Sequence, residues 1–450
     1  MSLSGTGLRQ ARRIIVSMAA AMSFVACGDD GPTENVVQPF SITFCSGDAP
    51  IWVAMQDGDG AWTQLLPTTG NTYELKLLSG RGGIATVDTV GESTQLSLAY
   101  LTADEMVHLG SEVSWAPAGC VGKTVLGSVA NVAPDQYALI GLGASVAYVD
   151  GSTGSTFELT DVPDGPQAFL AGRYDGSTDL VSTLILRRGI NAAAGSSLPV
   201  LDFGGAEAFA PASGEVTVTG LTAGEVGSLT VSYAGVDGLS TIRISSANVE
   251  NGASTSYQAI PAAQLQAGEY QQFFVGAESF RFATLYFRTP AARTVALGPV
   301  LNAPAVSAAA TEPYLRPRVQ LTSQAEYNRL LLAFLYESQS DGRTVLLVSD
   351  GYLGGTPQTW DVTVPDLSAA SGWNNSWGLQ GGGDLEWTVD ALGGIIITFG
   401  EEPTDGAMTR IAGAFSAQSS DLALREQGVH PLLRGLTERN RTTPSGRPRW

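Results

Sequence analysis

The chain has 450 residues, 44% of them apolar, and a formal charge of −19. That length suits about three domains with packed cores, and so acidic a body argues against holding nucleic acid or adhering by charge to anionic lipid. With 54 glycines and 22 prolines the composition favours short strands and frequent turns, while two histidines and three cysteines leave little material for metal chemistry.

The N-terminal segment carries only positive charge, at Arg9, Arg12 and Arg13, before the first acid at Asp29. The uncharged run from Ile14 to Ala26 would make about 20 Å of helix, too short for the ~30 Å hydrocarbon layer. A basic start followed by a short apolar run predicts an export signal over residues 1–26. Phe24-Val25-Ala26-Cys27, followed by Gly28-Asp29-Asp30-Gly31-Pro32, resembles the lipobox of bacterial lipoproteins, with Phe24 where leucine is usual. Ordinary signal-peptidase cleavage is the competing reading. The resemblance implies a covalent lipid on Cys27, a tether over 27–39, and the membrane as partner through that lipid. Gly28 in place of an aspartate favours the outer membrane. If Cys27 carries lipid, Cys45 and Cys120 remain as a disulfide pair or as two buried thiols.

From residue 40 the chain reads as strands. Ser41-Ile42-Thr43-Phe44, Glu215–Thr219 and Leu229–Tyr233 alternate, and Asp57-Gly58, Asp164-Gly165, Asp237-Gly238 and Asn251-Gly252 punctuate them as turns. A strand opening on a hydroxyl and an aromatic occurs four times: Thr72-Tyr73-Glu74-Leu75, Thr156-Phe157-Glu158-Leu159, Ser256-Tyr257-Gln258-Ala259 and Thr359-Trp360-Asp361-Val362. Thr183–Arg187 and Pro199–Asp202 also return as Thr284–Arg288 and Pro299–Asn302. A period near 100 residues predicts an all-β fold of four tandem β-sandwiches, each with its own core, over 40–120, 121–203, 204–303 and 304–420. A disordered arginine-rich tail is expected over 421–450. Thr156–Leu159, the turn Pro163-Asp164-Gly165-Pro166 and Gln167–Ala171 read as a hairpin. Together they resemble the transthyretin-like or carboxypeptidase-regulatory-like module, with immunoglobulin-like sandwiches the broader class. That resemblance, clearest over 121–203, implies seven or eight strands and no catalytic residues. Thr102-Ala103-Asp104-Glu105 is a capping box, which sets His108 on a short helix. The run Arg329–Tyr336 is long enough for a buried helix, but its register favours a strand.

Residues that would carry chemistry are sparse. His108 and His430 have no neighbour at zinc-ligand spacing, and no nucleophile elbow or phosphate-binding glycine pattern occurs. Two segments are candidates for binding. In the first, Trp52 and Trp62 flank Asp57-Gly58-Asp59-Gly60. The pair Asp57 and Asp59 is a weak calcium candidate without the terminal glutamate, and an Asp-Gly hairpin bearing core tryptophans is the plainer reading. In the second, Trp373 and Trp377 stand four apart in a Gly/Asn/Ser-rich loop, where exposure would suit a ligand. The expectation is a non-enzymatic envelope protein without a cofactor, a spacer or an adhesin-like binder of protein or glycan. A carbohydrate-binding or hydrolytic accessory protein is the alternative.

Overall fold

The computed structural model describes residues 39–44, 49–90, 93–112, 122–143, 145–162, 165–235, 238–337 and 342–416. Cys27, Cys45, Cys120, His430, the expected signal and nearly all of the tether, and the arginine-rich tail lie outside them.

Four copies of one plan follow one another. The first runs β1 (Phe40–Thr43), β2 (Trp52–Asp57), β3 (Thr63–Gln64), β4 (Thr72–Leu75), β5 (Arg81–Val90), β6 (Ser93–Thr102) and α1 (Ala103–Glu112). Its strands pair as β1-β4 and β3-β2-β5-β6. The second runs β7 (Lys123–Ala130), β8 (Gln136–Leu142), β9 (Ser145–Asp150), β10 (Thr156–Val162), β11 (Gln167–Asp175), β12 (Val181–Ile190) and β13 (Leu201–Asp202), in sheets β10-β7-β13 and β9-β8-β11-β12. The third repeats this with β14 (Ala212–Thr219), β15 (Gly227–Gly235), β16 (Gly238–Val249), β17 (Ser254–Ala259), β18 (Tyr270–Ala277), β19 (Arg281–Phe287) and β20 (Arg293–Ala296), as β17-β14-β20 and β16-β15-β18-β19. The fourth consists of β21 (Ala305–Ala310), β22 (Arg316–Thr322), β23 (Leu330–Glu337), β24 (Arg343–Ser349), β25 (Thr359–Thr363), β26 (Leu385–Gly394) and β27 (Met408–Phe415). They pair as β21-β22-β25 and β24-β23-β26-β27. The all-β, repeated-sandwich expectation therefore holds.

The recurring aromatic strands are β4, β10, β17 and β25, and they lie antiparallel to β1, β7, β14 and β22 respectively. Period-two alternation turns Tyr73, Phe157, Tyr257 and Trp360 inward, and all four are buried. Gly127 and Gly214 stand opposite Phe157 and Tyr257, whose rings lie across them. A Cβ at either glycine would meet the ring at 2.1 Å or 2.6 Å. The segment after β10 is not the expected hairpin. β10 pairs with β7, whereas β11 pairs with β8 and β12, so the two strands belong to different sheets.

The second repeat keeps one core of its own, from Val125 to Phe203, but the first and fourth repeats share theirs. β19 and β27 join the third and fourth repeats antiparallel, and β24 and β6 join the fourth to the first in parallel. The result is one twelve-stranded sheet, β16-β15-β18-β19-β27-β26-β23-β24-β6-β5-β2-β3, in which the first repeat sits beside the last. One face of its first- and fourth-repeat strands packs Leu331, Ala333, Val348, Trp52 and Leu98 with Val319 and Trp360. The other face packs Leu332, Leu347, Ile84 and Leu101 with Ile42, Tyr73 and Met106 of α1. A strand covered on both faces needs apolar residues at every position, which is why Leu330–Leu335 lost its alternation and looked helical. It is the strand β23.

Polar ties close each seam. The capping box forms as expected: Glu105 N donates to Thr102 Oγ1 at 3.2 Å and Thr102 N to Glu105 Oε2 at 2.8 Å. That carboxylate also accepts from Ser349 Oγ at 2.6 Å, so α1 is fastened to the fourth repeat. At the seam of the second and third repeats, Gln258 accepts from Val181 N (2.8 Å) and donates to Val181 O (2.7 Å), and Arg188 pairs with the buried Glu269. At the third-to-fourth seam, Arg410 Nε donates to Ala296 O at 2.9 Å and Arg293 pairs with Asp405 at 3.0 Å. Beside it, within the third repeat, Arg281 Nη1 donates to Gly220 O (2.6 Å) and Gly298 O (2.8 Å), and its Nη2 pairs with Glu225.

Candidate functional site

The two tryptophan segments, more than 300 residues apart in sequence, come together where the first and fourth repeats meet. Pairing of β2 with β5 places Trp52 opposite Val87, on the face turned toward the fourth repeat. The loop between β25 and β26 reaches over that face. Its shape is held by Glu337, buried at the end of β23, whose carboxylate accepts from Gln380 N at 3.0 Å and from Gly381 N. Asn374 caps the short turn Asn375–Trp377 through Ser376 N at 3.1 Å. Trp373 and Trp377 are thereby delivered against Trp52, with ring centroids 5.1 Å and 6.2 Å away, while Tyr314 lies 5.4 Å from Trp373. Trp52 is 2% exposed and its Nε1 donates to Ser371 O at 3.0 Å.

For Trp52 this geometry excludes an open stacking face and agrees with the plainer reading, a core tryptophan. Trp373 is half-buried among three aromatic neighbours and its Nε1 donates to Asn375 Oδ1 at 3.0 Å. Trp377 is half-buried too, edge-on to Trp373. Trp62, just before β3, stands 6.0 Å from Tyr100, itself 5.1 Å from Tyr352, which carries the Arg81 guanidinium 4.9 Å above its ring. Burial, reinforced by Tyr352 and Tyr314, drives the Tyr100 phenol far above its ordinary range, so it stays neutral. The arrangement is a clamp in which large amphipathic rings bridge two repeats.

The acidic pair does not converge on a common point. Asp57 Oδ1 accepts from Ser79 N (2.9 Å) and Ser79 Oγ (2.6 Å); desolvation would raise its carboxyl, but the hydrogen bonds together outweigh it and hold the group below the usual range. Asp59 pairs with Arg81 at 2.7 Å, so a cation placed there would face a guanidinium. Among the described residues no three His, Cys, Asp or Glu side chains are grouped to hold a metal ion.

Asp390 was not legible as special. It lies midway along β26, opposite Leu332 and Gly413, half-buried and without a hydrogen bond or ion pair to any described residue. Desolvation pushes its carboxyl up to about 7. The folded state therefore holds a proton that the unfolded chain releases near pH 4, and stability falls as pH rises from about 4 through 7. Asp390→Asn is expected to stabilise the protein by about 2 kcal/mol at pH 8 and by much less at pH 5. Urea midpoints at the two pH values check this, and an equal gain at both would contradict it.

No family model and no curated protein sequence matches the chain. Among solved structures, it is faintly similar to BcpA, the major pilin subunit of Bacillus cereus, at 8% identity over 58% of this chain and 99% of that one, with a TM-score of 0.12. The Bacillus anthracis TIE protein aligns at 10% identity over 83% of this chain and 66% of that one, with a TM-score of 0.14. Neither score carries an inference. What the structure itself defines is an all-β protein built of repeated sandwiches.

Proposed function

We propose that the chain is a non-catalytic, lipid-anchored protein of the cell envelope, held at the outer membrane through Cys27. In this reading it serves as a structural element or an adhesin-like binder of protein or glycan. The observation that carries the proposal is the lipobox-like sequence ending at Cys27, a short tether ahead of an interlocked β-sandwich body. The packing of Trp373 and Trp377 against Trp52, between the fourth repeat and the first, supports a mechanical role. With its first and fourth repeats joined through β6 and β24, such a body is interlocked rather than a string of independent sandwiches.

Peptide mapping of the mature protein tests the anchor. The expected N-terminal residue is Cys27 bearing a lipid, with the parent in the membrane fraction and Cys27→Ala released from it. An unmodified mature N-terminus elsewhere would sink the proposal. The same map is expected to show Cys45 joined to Cys120 when run without reductant.

A further inference from the structure

The loop between β25 and β26 is pinned from beneath by both the first repeat and the fourth. Trp52 donates its Nε1 to Ser371 O, and Glu337 holds Gln380 N and Gly381 N. Between these ties stand Trp373 and Trp377, each half-buried, and the exposed Asn374, Asn375 and Ser376. The two amides are committed on one side only. Asn374 Oδ1 accepts from Ser376 N (3.1 Å), and Asn375 Oδ1 accepts from Trp373 Nε1 (3.0 Å). Each carbonyl oxygen is thus used within the loop, and each Nδ2, on the other side of the same planar group, has two N–H donors to give. From Pro365 to Gly383 the one charged side chain is Asp366, which accepts from Ser368 N at 2.9 Å and faces Arg316 at 3.7 Å.

We propose that this loop is a binding platform for an uncharged glycan. A pyranose ring lies against the half-exposed indoles of Trp373 and Trp377, and its hydroxyls accept from Asn374 and Asn375. The inference rests on the binder reading given above and names its ligand and its residues. A pyranose offers a flat C–H face and a rim of hydroxyls. Indole rings match the first, and fixed primary amides match the second. An apolar protein side chain in the same place would leave the N–H groups of both amides unmet, which costs free energy. An anionic glycan would meet no cation of the loop and a chain whose formal charge is −19. The ties to Trp52 and Glu337 hold the loop in shape before a ligand arrives, so little ordering is left to oppose binding.

A glycan array probed with the full chain carrying Cys27→Ala tests this, with the retained sugars then titrated by calorimetry. Neutral glycans are expected to be retained and to quench tryptophan emission, and glycans rich in uronic or sialic acid are not. Asn375→Asp is the decisive variant. Its carboxylate still accepts from Trp373 Nε1, but the outward donor is gone. Affinity is expected to fall by at least about tenfold with an unchanged thermal midpoint, which a role confined to packing the loop would not produce. Trp377→Ala is expected to lose retention altogether. A neutral glycan bound equally by the parent and Asn375→Asp overturns this site and leaves the wider binder reading standing. An array that retains no neutral glycan overturns the ligand class, while the anchor is judged separately by the peptide map.

Discussion

Arg281→Ala is expected to destabilise the protein by about 3–5 kcal/mol, because it strands a buried carboxylate. Arg281 is 2% and Glu225 6% exposed. The guanidinium also donates to Ser279 Oγ at 2.7 Å and to the two carbonyls already named, so all its nitrogens are engaged. Burial by itself would raise the Glu225 pKa, but donors from Ser279 and Thr222 outweigh it and hold the group at about 2. A carboxyl depressed in the folded state contributes stability above its ordinary value of 4.5, and that stability is lost as pH falls from 4.5 towards 2. Glu225→Gln should therefore remove part of the acid sensitivity while costing stability at pH 7. Guanidinium unfolding of both variants at pH 7 and pH 3.5 reads this. A loss below 1 kcal/mol for Arg281→Ala at pH 7 would contradict the buried pair.

The second large effect concerns which regions depend on which core. Trp360→Ala and Phe157→Ala each remove a buried aromatic from the equivalent strand of a repeat, and each is expected to cost about 3–5 kcal/mol. Their reach should differ. Phe157 packs in a core made wholly of second-repeat residues, from Val125 to Phe203. Its loss should lower hydrogen-exchange protection mainly over β7 to β13. Trp360 shares its core with Trp52, Leu96 and Leu98 of the first repeat. Its loss should lower protection in β2, β5 and β6 together with the fourth repeat, although the first repeat keeps its own sequence intact. Loss of protection confined to the fourth repeat would mean the first is an independent domain.

The sequence and the structure agree where local chemistry decides. Tyr73, Phe157, Tyr257 and Trp360 were legible because a period of two around an aromatic marks a half-buried strand, and Thr102 with Glu105 because a capping box is a four-residue device. Leu330–Leu335 was ambiguous because a strand buried on both faces carries no period. The pairing of β6 with β24 is a backbone contact between distant segments and leaves no side-chain signature. The meeting of the tryptophans was hidden for that reason. Trp373 and Trp377 lie in a polar loop, and nothing local showed that this loop crosses the face holding Trp52. Asp390 and Glu225 were hidden among many acids, since their properties come from what surrounds them.

The joining of the first repeat to the fourth is tested most directly at Gln95 and Arg343, which face each other across the β6–β24 junction although two whole repeats separate them in sequence. The double variant Gln95→Cys/Arg343→Cys is expected to form an intramolecular disulfide under mild oxidation, seen by peptide mapping as residues 95 and 343 joined within a monomer. Two free thiols at these positions in a folded protein would contradict it.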